Sequence, residues 1–468
     1  MPFTNLLAVT LLIRFRVSRL SIINFDNLNN PKLELSGFKK KKLKVKRLKY
    51  DIFTPCMANK EIAIIGGGAA GFFAALSAAS YSTNTNITLY EKTNKLLSKV
   101  KVSGGGRCNV TNHCFKIAEF ASHYPRGSKF MKKCLGEFDS KNTIEWFQSR
   151  GVRLKAETDN RMFPITDDSQ TIIDCLTLEA KNLGVPIINS MAISEIKPIE
   201  DGFLLTSANG EVKANKVIVA SGGSPKAEGL SWLRQLGHNI SSPVPSLFTF
   251  NMPGNEVTQL MGLSVDHTQV KVQGSKLVSD GPLLITHWGM SGPAILKLSA
   301  WGARELNEKE YHFSILVSWV GKQKEDGVRE IIFTESASSG KRKISNRNPL
   351  LLPQRLWCYL LNKVGLNEDK VWSEMSKKDM NRLINILTND EYEVKGKTTF
   401  KEEFVTCGGV ALEDIDHKTM ESKQRKGMYF CGEVMDIDGI TGGFNFQAAW
   451  TTGYIAGKNA ALSLQGGQ

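Results

Sequence analysis

The spacing of apolar residues changes period several times along the chain, and each change marks a different kind of element. "EIAIIG", Glu61 to Gly66, is a short continuous apolar run of strand length, and "AAGFFAALSAAS" after it has the small-residue density of a packed helix. "NITLYE", ending at Glu91, reads as a second strand. Strand, helix and strand in this order predict two parallel strands joined by a right-handed crossover, and hence an α/β fold. "KVIVASGG" (Lys216 to Gly223) and "KGMYFCGE" (Lys426 to Glu433) repeat the strand-then-glycine pattern later in the chain. From 246 to 320 the period shortens to two, as in "HTQVKVQG" and "YHFSILVSW", which predicts a β-rich segment of antiparallel strands. From 321 to 390 it lengthens again, as in "LPQRLWCYLLNKVG" and "KKDMNRLINILTN", which predicts helices. The expected organisation is a dinucleotide-binding domain in two parts, 59–245 and 391–468, interrupted by a β-rich domain and a helical insert.

Composition changes this picture little. No run approaches the roughly 18 apolar residues of a membrane span. The net charge of +14 is concentrated in residues 1–58, which hold twelve Lys and Arg against three acids, a net +9 that leaves +5 for the other 410 residues. So mild a charge on the body of the chain argues against nucleic acid as a partner of the folded domains. The basic extension reads as an organellar transit peptide for a chloroplast or mitochondrion, as a nuclear signal in "KKKKLKVKRLK", or as a disordered leader upstream of a functional Met57 in a cytoplasmic protein. Eight scattered cysteines with no C-x-x-C pair predict free thiols and no metal site.

Gly66, Gly68 and Gly71 form G-x-G-x-x-G between a strand and a helix, with Ala69 and Ala70 at the helix start. Gly66 permits the turn, Gly68 lets backbone approach a diphosphate, and Gly71 allows close packing of helix on strand. The unpaired N–H groups of the helix start favour a phosphate anion. Glu91, followed by Lys92, stands 20 residues after Gly71, where a carboxylate accepts hydrogen bonds from an adenosine ribose and repels a 2′-phosphate. These features serve NAD and FAD alike. The second half of the cofactor is read from "CGEVMDIDGITGGFNFQAAWTTGYIAG", where Gly432 and Glu433 close a strand and Gly442 and Gly443 precede a helix beginning near Asn445 and Phe446. A helix start there stabilises the negative charge that a reduced flavin carries at its N1/C2 edge, so the pair of sites favours FAD.

The glycine motif, "KVSGGGRCNVTN" (Lys101 to Asn112), "ASGGSPKAEG" (Ala220 to Gly229, containing Gly222), "THWGMSGPAILKLSA" (Thr286 to Ala300) and the C-terminal segment occur in an order that resembles the BaiN/YhiN-like flavoproteins, often labelled the aminoacetone oxidase family. The resemblance spans roughly 59–464. It implies an FAD-binding domain of the glutathione-reductase type with inserted β-rich and helical domains, and it places the loop of Ser103, Gly104, Gly105, Arg107 and Asn109 beside the isoalloxazine.

Arg107 reads in two ways, as a cation for phosphate or a substrate carboxylate, or as a brace for its own loop through a nearby acid. Cys108 lacks the second cysteine of a disulfide redox pair. His287 is a candidate proton donor or a structural histidine, and Ser291 a candidate cap for a helix opened by Pro293. The expected activity is FAD-dependent hydride transfer to or from an unidentified small organic substrate. NAD(P)H would be a transient electron donor, because no second G-x-G-x-x-G occurs. An RNA-modifying flavoprotein and a non-catalytic FAD-binding redox sensor are the alternatives.

Overall fold

The structure is a computed structural model that describes residues 60–82, 84–398 and 405–465. The basic extension, with the targeting expectation attached to it, lies outside the described residues.

The three strand-and-glycine runs and "NITLYE" join one parallel sheet. Strand β1 (Lys60–Ile65) is central and leads through α1 (Ala69–Tyr81) to β2 (Thr85–Tyr90). The spatial order is Met428–Phe430, Lys216–Val219, β1, β2 and Ile187–Ile188. Ile62 pairs with Ile87 on one side and Lys216 on the other, all in parallel register. Ile62, Ala63 and Ile64 are fully buried, as a strand covered on both faces requires. Read from the Ile187–Ile188 edge, the strands follow the chain order 3-2-1-4-5 typical of doubly wound folds, in which ligands bind beyond the carboxyl ends of the strands. The edge strand Ile187–Ile188, third in chain order, has two residues and no periodic signature in "GVPIIN".

Helix α1 is held by contacts that only glycine allows. A Cβ on Gly71 would stand 1.9 Å from the Gly66 carbonyl oxygen. The C-terminal helix, Phe444–Gln465, crosses α1 just as closely, and a Cβ at Gly457 would meet the Ala74 carbonyl oxygen at 2.1 Å and one at Gly453 the Ala70 carbonyl oxygen at 2.5 Å. Backbone thus packs on backbone, and Phe73 fills the remaining space with Trp146 and Trp450 at ring separations of 4.6 and 4.7 Å.

The alternating segment supplies five strands of a seven-stranded antiparallel sheet, and the other two, Asp390–Lys395 and Lys397–Thr398, come from the stretch expected to return to the dinucleotide-binding domain, because Asp390–Lys395 pairs with His312–Ser318 and Lys397–Thr398 with Thr249–Asn251. Helices Glu325–Ser338, Gln354–Lys363 and Lys377–Thr388 come between two of its neighbouring strands, His312–Ser318 and Asp390–Lys395. They share one hydrophobic core with the sheet, in which Trp319, Trp357, Trp372 and Tyr392 are buried. Ser376 and Asp379 start the third helix with a reciprocal capping box. The fold is therefore α/β, with a Rossmann-type parallel sheet and inserted β-rich and helical segments.

Gly457→Val is expected to cost about 1–3 kcal/mol through overpacking against Ala74. Leu462→Ala, at an exposed position of the same helix, should stay within about 0.5 kcal/mol of wild type. Chemical denaturation reads both, and an unshifted midpoint for Gly457→Val would mean that the two helices are not in backbone contact.

Candidate functional site

At the carboxyl ends of the strands lies a cleft of about 610 Å³, and most of the residues singled out in the sequence line it. Gly66, Gly68, Ala69 and Ala70 form one end of its wall with Glu91 and Lys92. Gly66 has φ +115°, which opens the turn and brings it within reach of the Ala220 carbonyl. The Glu91 carboxylate accepts the Gly67 N–H through Oε2 at 2.8 Å and the Thr93 N–H and hydroxyl through Oε1 at 2.9 Å each. It thereby ties the end of β2 to the glycine turn. Gly71 lies behind the wall, where its role is the close packing of α1.

The second end is built by the loop between Met428–Phe430 and the C-terminal helix. Gly442, Gly443, Asn445 and Phe446 line the cleft here, and Gly432 and Glu433 line it where the loop leaves the sheet, with Gly432 against Ala70. Glu433 accepts the Thr406 N–H at 2.8 Å and pairs with Lys99 at 2.5 Å. The Asn445 amide clamps Gly439, accepting its N–H at 2.8 Å and donating to its carbonyl at 2.9 Å, so the loop is fixed just where the helix starts. Phe446 stacks on Trp450 with ring centroids 5.6 Å apart.

Ser103, Gly104, Gly105 and Asn109 bring helix α2 (Ser98–Gly106) and its following loop to the same wall. With its nitrogen turned to the Thr111 carbonyl at 3.0 Å, the Asn109 amide accepts the Gly443 N–H at 2.9 Å. This links the triple-glycine loop directly to the C-terminal loop. Gly222, at φ +77°, completes the floor.

Arg107 and His287 are not part of the wall. The Arg107 side chain turns to Glu157, with Nη1 to Oε1 at 2.6 Å, and lies 4.0 Å over the Phe163 ring. His287 is exposed at the turn between strands Val278–Thr286 and Gly289–Ser291, edge-on to Trp288. Cys108 is fully buried, and burial pushes its thiol up to about 12. Ser291 is not a helix cap, because Gly292 at φ +92° takes that position and Ser291 ends a strand instead, in the cleft wall. Sequence reasoning missed the side of the cleft contributed by the inserted segment, namely Thr249, Leu296 and Thr398, with Arg161 from a separate hairpin, and it read Ser291 only as a cap. No spacing motif marks Thr249, Thr398 or Arg161, and the motif that holds Ser291 and Leu296 gives no sign of their place in the wall. They converge only when the antiparallel sheet is assembled.

A buried ion pair fixes this second wall. Arg126 reaches both carboxylate oxygens of Asp438, which is fully buried, and donates to the Ala300 carbonyl at 2.5 Å, while the Ser246 hydroxyl donates to Asp438 at 2.7 Å. Three separate parts of the chain thus meet on the loop that carries Gly442 and Gly443. Burial raises the Asp438 pKa above the ordinary carboxylate value, and Arg126 opposes that shift.

A parallel sheet in this strand order, a G-x-G-x-x-G turn at a helix start and an acid at the end of the second strand define the dinucleotide-binding class. Residues 60–459 match the HI0933-like protein Rossmann domain, and the chain belongs to this BaiN/YhiN-like family of Rossmann flavoproteins, whose members are FAD-dependent oxidoreductases. It is 26% identical over 408 residues to a 3-dehydro-bile acid delta(4,6)-reductase of Clostridium scindens, covering 86% of this chain and 98% of that protein. It is 30% identical over 414 residues to a ribosomal RNA dihydrouridine synthase of Haemophilus influenzae, covering 86% and 97%. Among solved structures, a flavocytochrome c3 fumarate reductase in an open conformation is similar at 16% identity and a TM-score of 0.45, over 86% of this chain and 78% of that one.

Arg126→Met leaves the Asp438 carboxylate buried without its cation and should destabilise the protein by about 3–5 kcal/mol at neutral pH. A carboxyl whose folded pKa lies above its unfolded value contributes stability below the ordinary carboxylate range and loses it as pH rises through the folded value. The deficit of the variant should therefore shrink on acidification, and Asp438→Asn in the same background should remove the pH dependence. Denaturation midpoints across pH 4 to 8 check this, and a deficit independent of pH contradicts it.

Proposed function

We propose that this chain catalyses FAD-dependent hydride transfer to a carbon–carbon double bond conjugated with a carbonyl in a small organic substrate, with NAD(P)H as a transient electron donor. The observation that carries this reading is the continuity of one cleft from the Gly66 to Glu91 end to Thr249 and Ser291 of the antiparallel sheet and Leu296 of the helix Pro293–Trp301. The Gly66 to Glu91 part has the chemistry for an adenosine diphosphate, and the part lined by the inserted segment would receive the reacting molecule.

The residues fit the cofactor. A Cβ on Gly68, Gly105 or Gly222 would project into open space, so each leaves backbone accessible to a ligand. Glu91 uses three of its four lone-pair positions within the protein, and the fourth remains for a ribose hydroxyl. The start of α1 would hold the diphosphate, and the start of the C-terminal helix would face the N1/C2 edge of the ring system and favour its anionic reduced form. FAD, when bound, supplies reversible hydride exchange at N5. The protein orients both partners and presents donors to charge that develops on the substrate.

The names of the two relatives support the choice of acceptor. A delta(4,6)-reductase of a 3-dehydro compound and a dihydrouridine synthase both saturate a double bond conjugated with a carbonyl. The dihydrouridine synthase name also raises a second reading, in which the acceptor is a uracil within RNA. The modest charge of residues 59–468 weighs against that reading.

Two outcomes are expected. First, the protein from residue 59 onward should purify yellow and release FAD on denaturation. Under anaerobic conditions NADH or NADPH should bleach its flavin absorbance, and an α,β-unsaturated ketone should restore it faster than ribosomal RNA does. A colourless protein stabilised by NAD alone contradicts the cofactor, and faster reoxidation by RNA selects the second reading. Second, Glu91→Lys replaces an acceptor with a cation and should weaken FAD binding by about 1–3 kcal/mol. Retention of FAD at wild-type affinity would place the ribose elsewhere.

A further inference from the structure

The cleft wall contains one arginine among the described residues, and it is Arg161 rather than Arg107. Arg161 opens strand β5 (Arg161–Pro164), which pairs antiparallel with β4 (Leu154–Ala156) and with β3 (Thr111–Asn112). The β4–β5 turn is closed by the Glu157 N–H donating to the Arg161 carbonyl at 2.8 Å and the Asn160 N–H donating to the Glu157 carbonyl at 2.9 Å. Asn160 takes φ +66° at its tip. This short hairpin sets the Arg161 backbone against Asn112, in the strand that follows the triple-glycine loop.

The side chain is braced from behind. Glu157 is shared: Oε1 accepts from Arg107 at 2.6 Å and Oε2 accepts from Arg161 Nη2 at 2.9 Å. Both guanidinium groups lie over Phe163, at 4.0 and 5.4 Å from its centroid, and Phe163 is fully buried. A Cβ on Gly104 would stand 2.9 Å from the Phe163 ring, so the glycine loop rests on the same aromatic platform. Asp159 Oδ2 lies 2.7 Å from Arg161 Nε but off the line of a hydrogen bond. Arg161 Nη1 has no protein partner among the described residues, which leaves both of its N–H donors available.

We propose that Arg161 binds the carbonyl oxygen of the acceptor and stabilises the enolate that develops there, and that Glu157 and Arg107 are positioning residues that hold it in place. The inference rests on the reductase reading above and names the group that would polarise its substrate. Hydride, with its electron pair, leaves the reduced cofactor and forms a C–H bond at the β-carbon. The double-bond pair shifts toward the carbonyl, giving an oxyanion at the oxygen. Water then protonates the α-carbon and hydroxide is left, so the alkene gains two electrons and two hydrogens while the cofactor loses two electrons. A permanently charged fork suits the oxyanion and cannot itself supply the proton. Arg107, read from the sequence either as a ligand-binding cation or as a brace paired with a nearby acid, acts one carboxylate behind the site.

The test uses the flavin-loaded protein and 4-nitrophenolate, an oxyanion conjugated as an enolate is, with neutral 4-nitroanisole as its uncharged counterpart. Binding is followed by perturbation of the flavin spectrum. Arg161→Gln should weaken phenolate binding about 10- to 100-fold, the range for loss of a charged hydrogen-bond partner, and leave nitroanisole binding unchanged. Arg161→Lys should recover part of the loss. Arg107→Gln should weaken phenolate binding by a smaller factor, again sparing nitroanisole, and Arg107→Lys should restore it. A merely structural role for Arg107 would lower the melting temperature and weaken both ligands together. Wild-type phenolate affinity in a folded Arg161→Gln variant that still reduces enones overturns the Arg161 assignment and leaves the reductase reading intact. A wild-type protein that reduces no enone overturns the reductase reading, and the enolate role falls with it.

Discussion

The structure depends on one steric constraint, the absence of side chains where α1 meets its neighbours. Gly71 lets the helix sit on the Gly66 carbonyl, and Gly453 and Gly457 let the C-terminal helix sit on α1. Any larger residue at these points would separate the elements by the width of a methyl group or more. Because they touch, the N-terminal ends of two helices far apart in sequence both arrive at the wall of one cleft. Each end carries unpaired N–H groups and the positive pole of its helix. Close packing is thus what converts a common sheet topology into a site with two poles for negative charge.

Around that frame, polar side chains fix loops before any ligand arrives. Glu91 holds the glycine turn, Asn109 holds Gly443, Asn445 holds Gly439, and Arg126 with Asp438 holds the C-terminal loop against the inserted segment. A dinucleotide binding here would lose less freedom to loop ordering than one that must organise a mobile cleft. The same rigidity governs Arg161, whose position is set by a shared carboxylate and a buried ring rather than by its own flexible stem. Such preorganisation is the condition under which a charged donor accelerates a reaction instead of merely binding its substrate.

The parallel sheet and the two poles of the cleft were legible in the sequence because they rest on local rules. Glycine at a turn, small residues in a packed helix and an acid at a strand end all act within about 30 residues, the span of one strand-helix-strand unit. The substrate side was not legible, since Thr249, Ser291 and Thr398 meet only through antiparallel pairings in which strand Thr249–Asn251 joins both Gly289–Ser291 and Lys397–Thr398. Arg107 stood out because it follows three glycines, whereas Arg161, in the plain stretch "NRMFP", carries no local signal of its place in the wall. Ser291 looked like a cap because it precedes Pro293, but Gly292 takes that position with a backbone angle that serine adopts poorly.

The central claim is that a single FAD spans this cleft, with its adenosine at Glu91 and its isoalloxazine beside the triple-glycine loop. A crystal structure of the protein purified with its own cofactor tests it most directly. The account predicts density for a whole dinucleotide, its ribose hydroxyls on Glu91, its diphosphate at the start of α1 and its ring between Gly104–Gly105 and Gly443–Asn445, with Arg161 beside the space open above the ring. Density for a nicotinamide dinucleotide, or a flavin ring lying away from the Gly443–Asn445 loop, would contradict it.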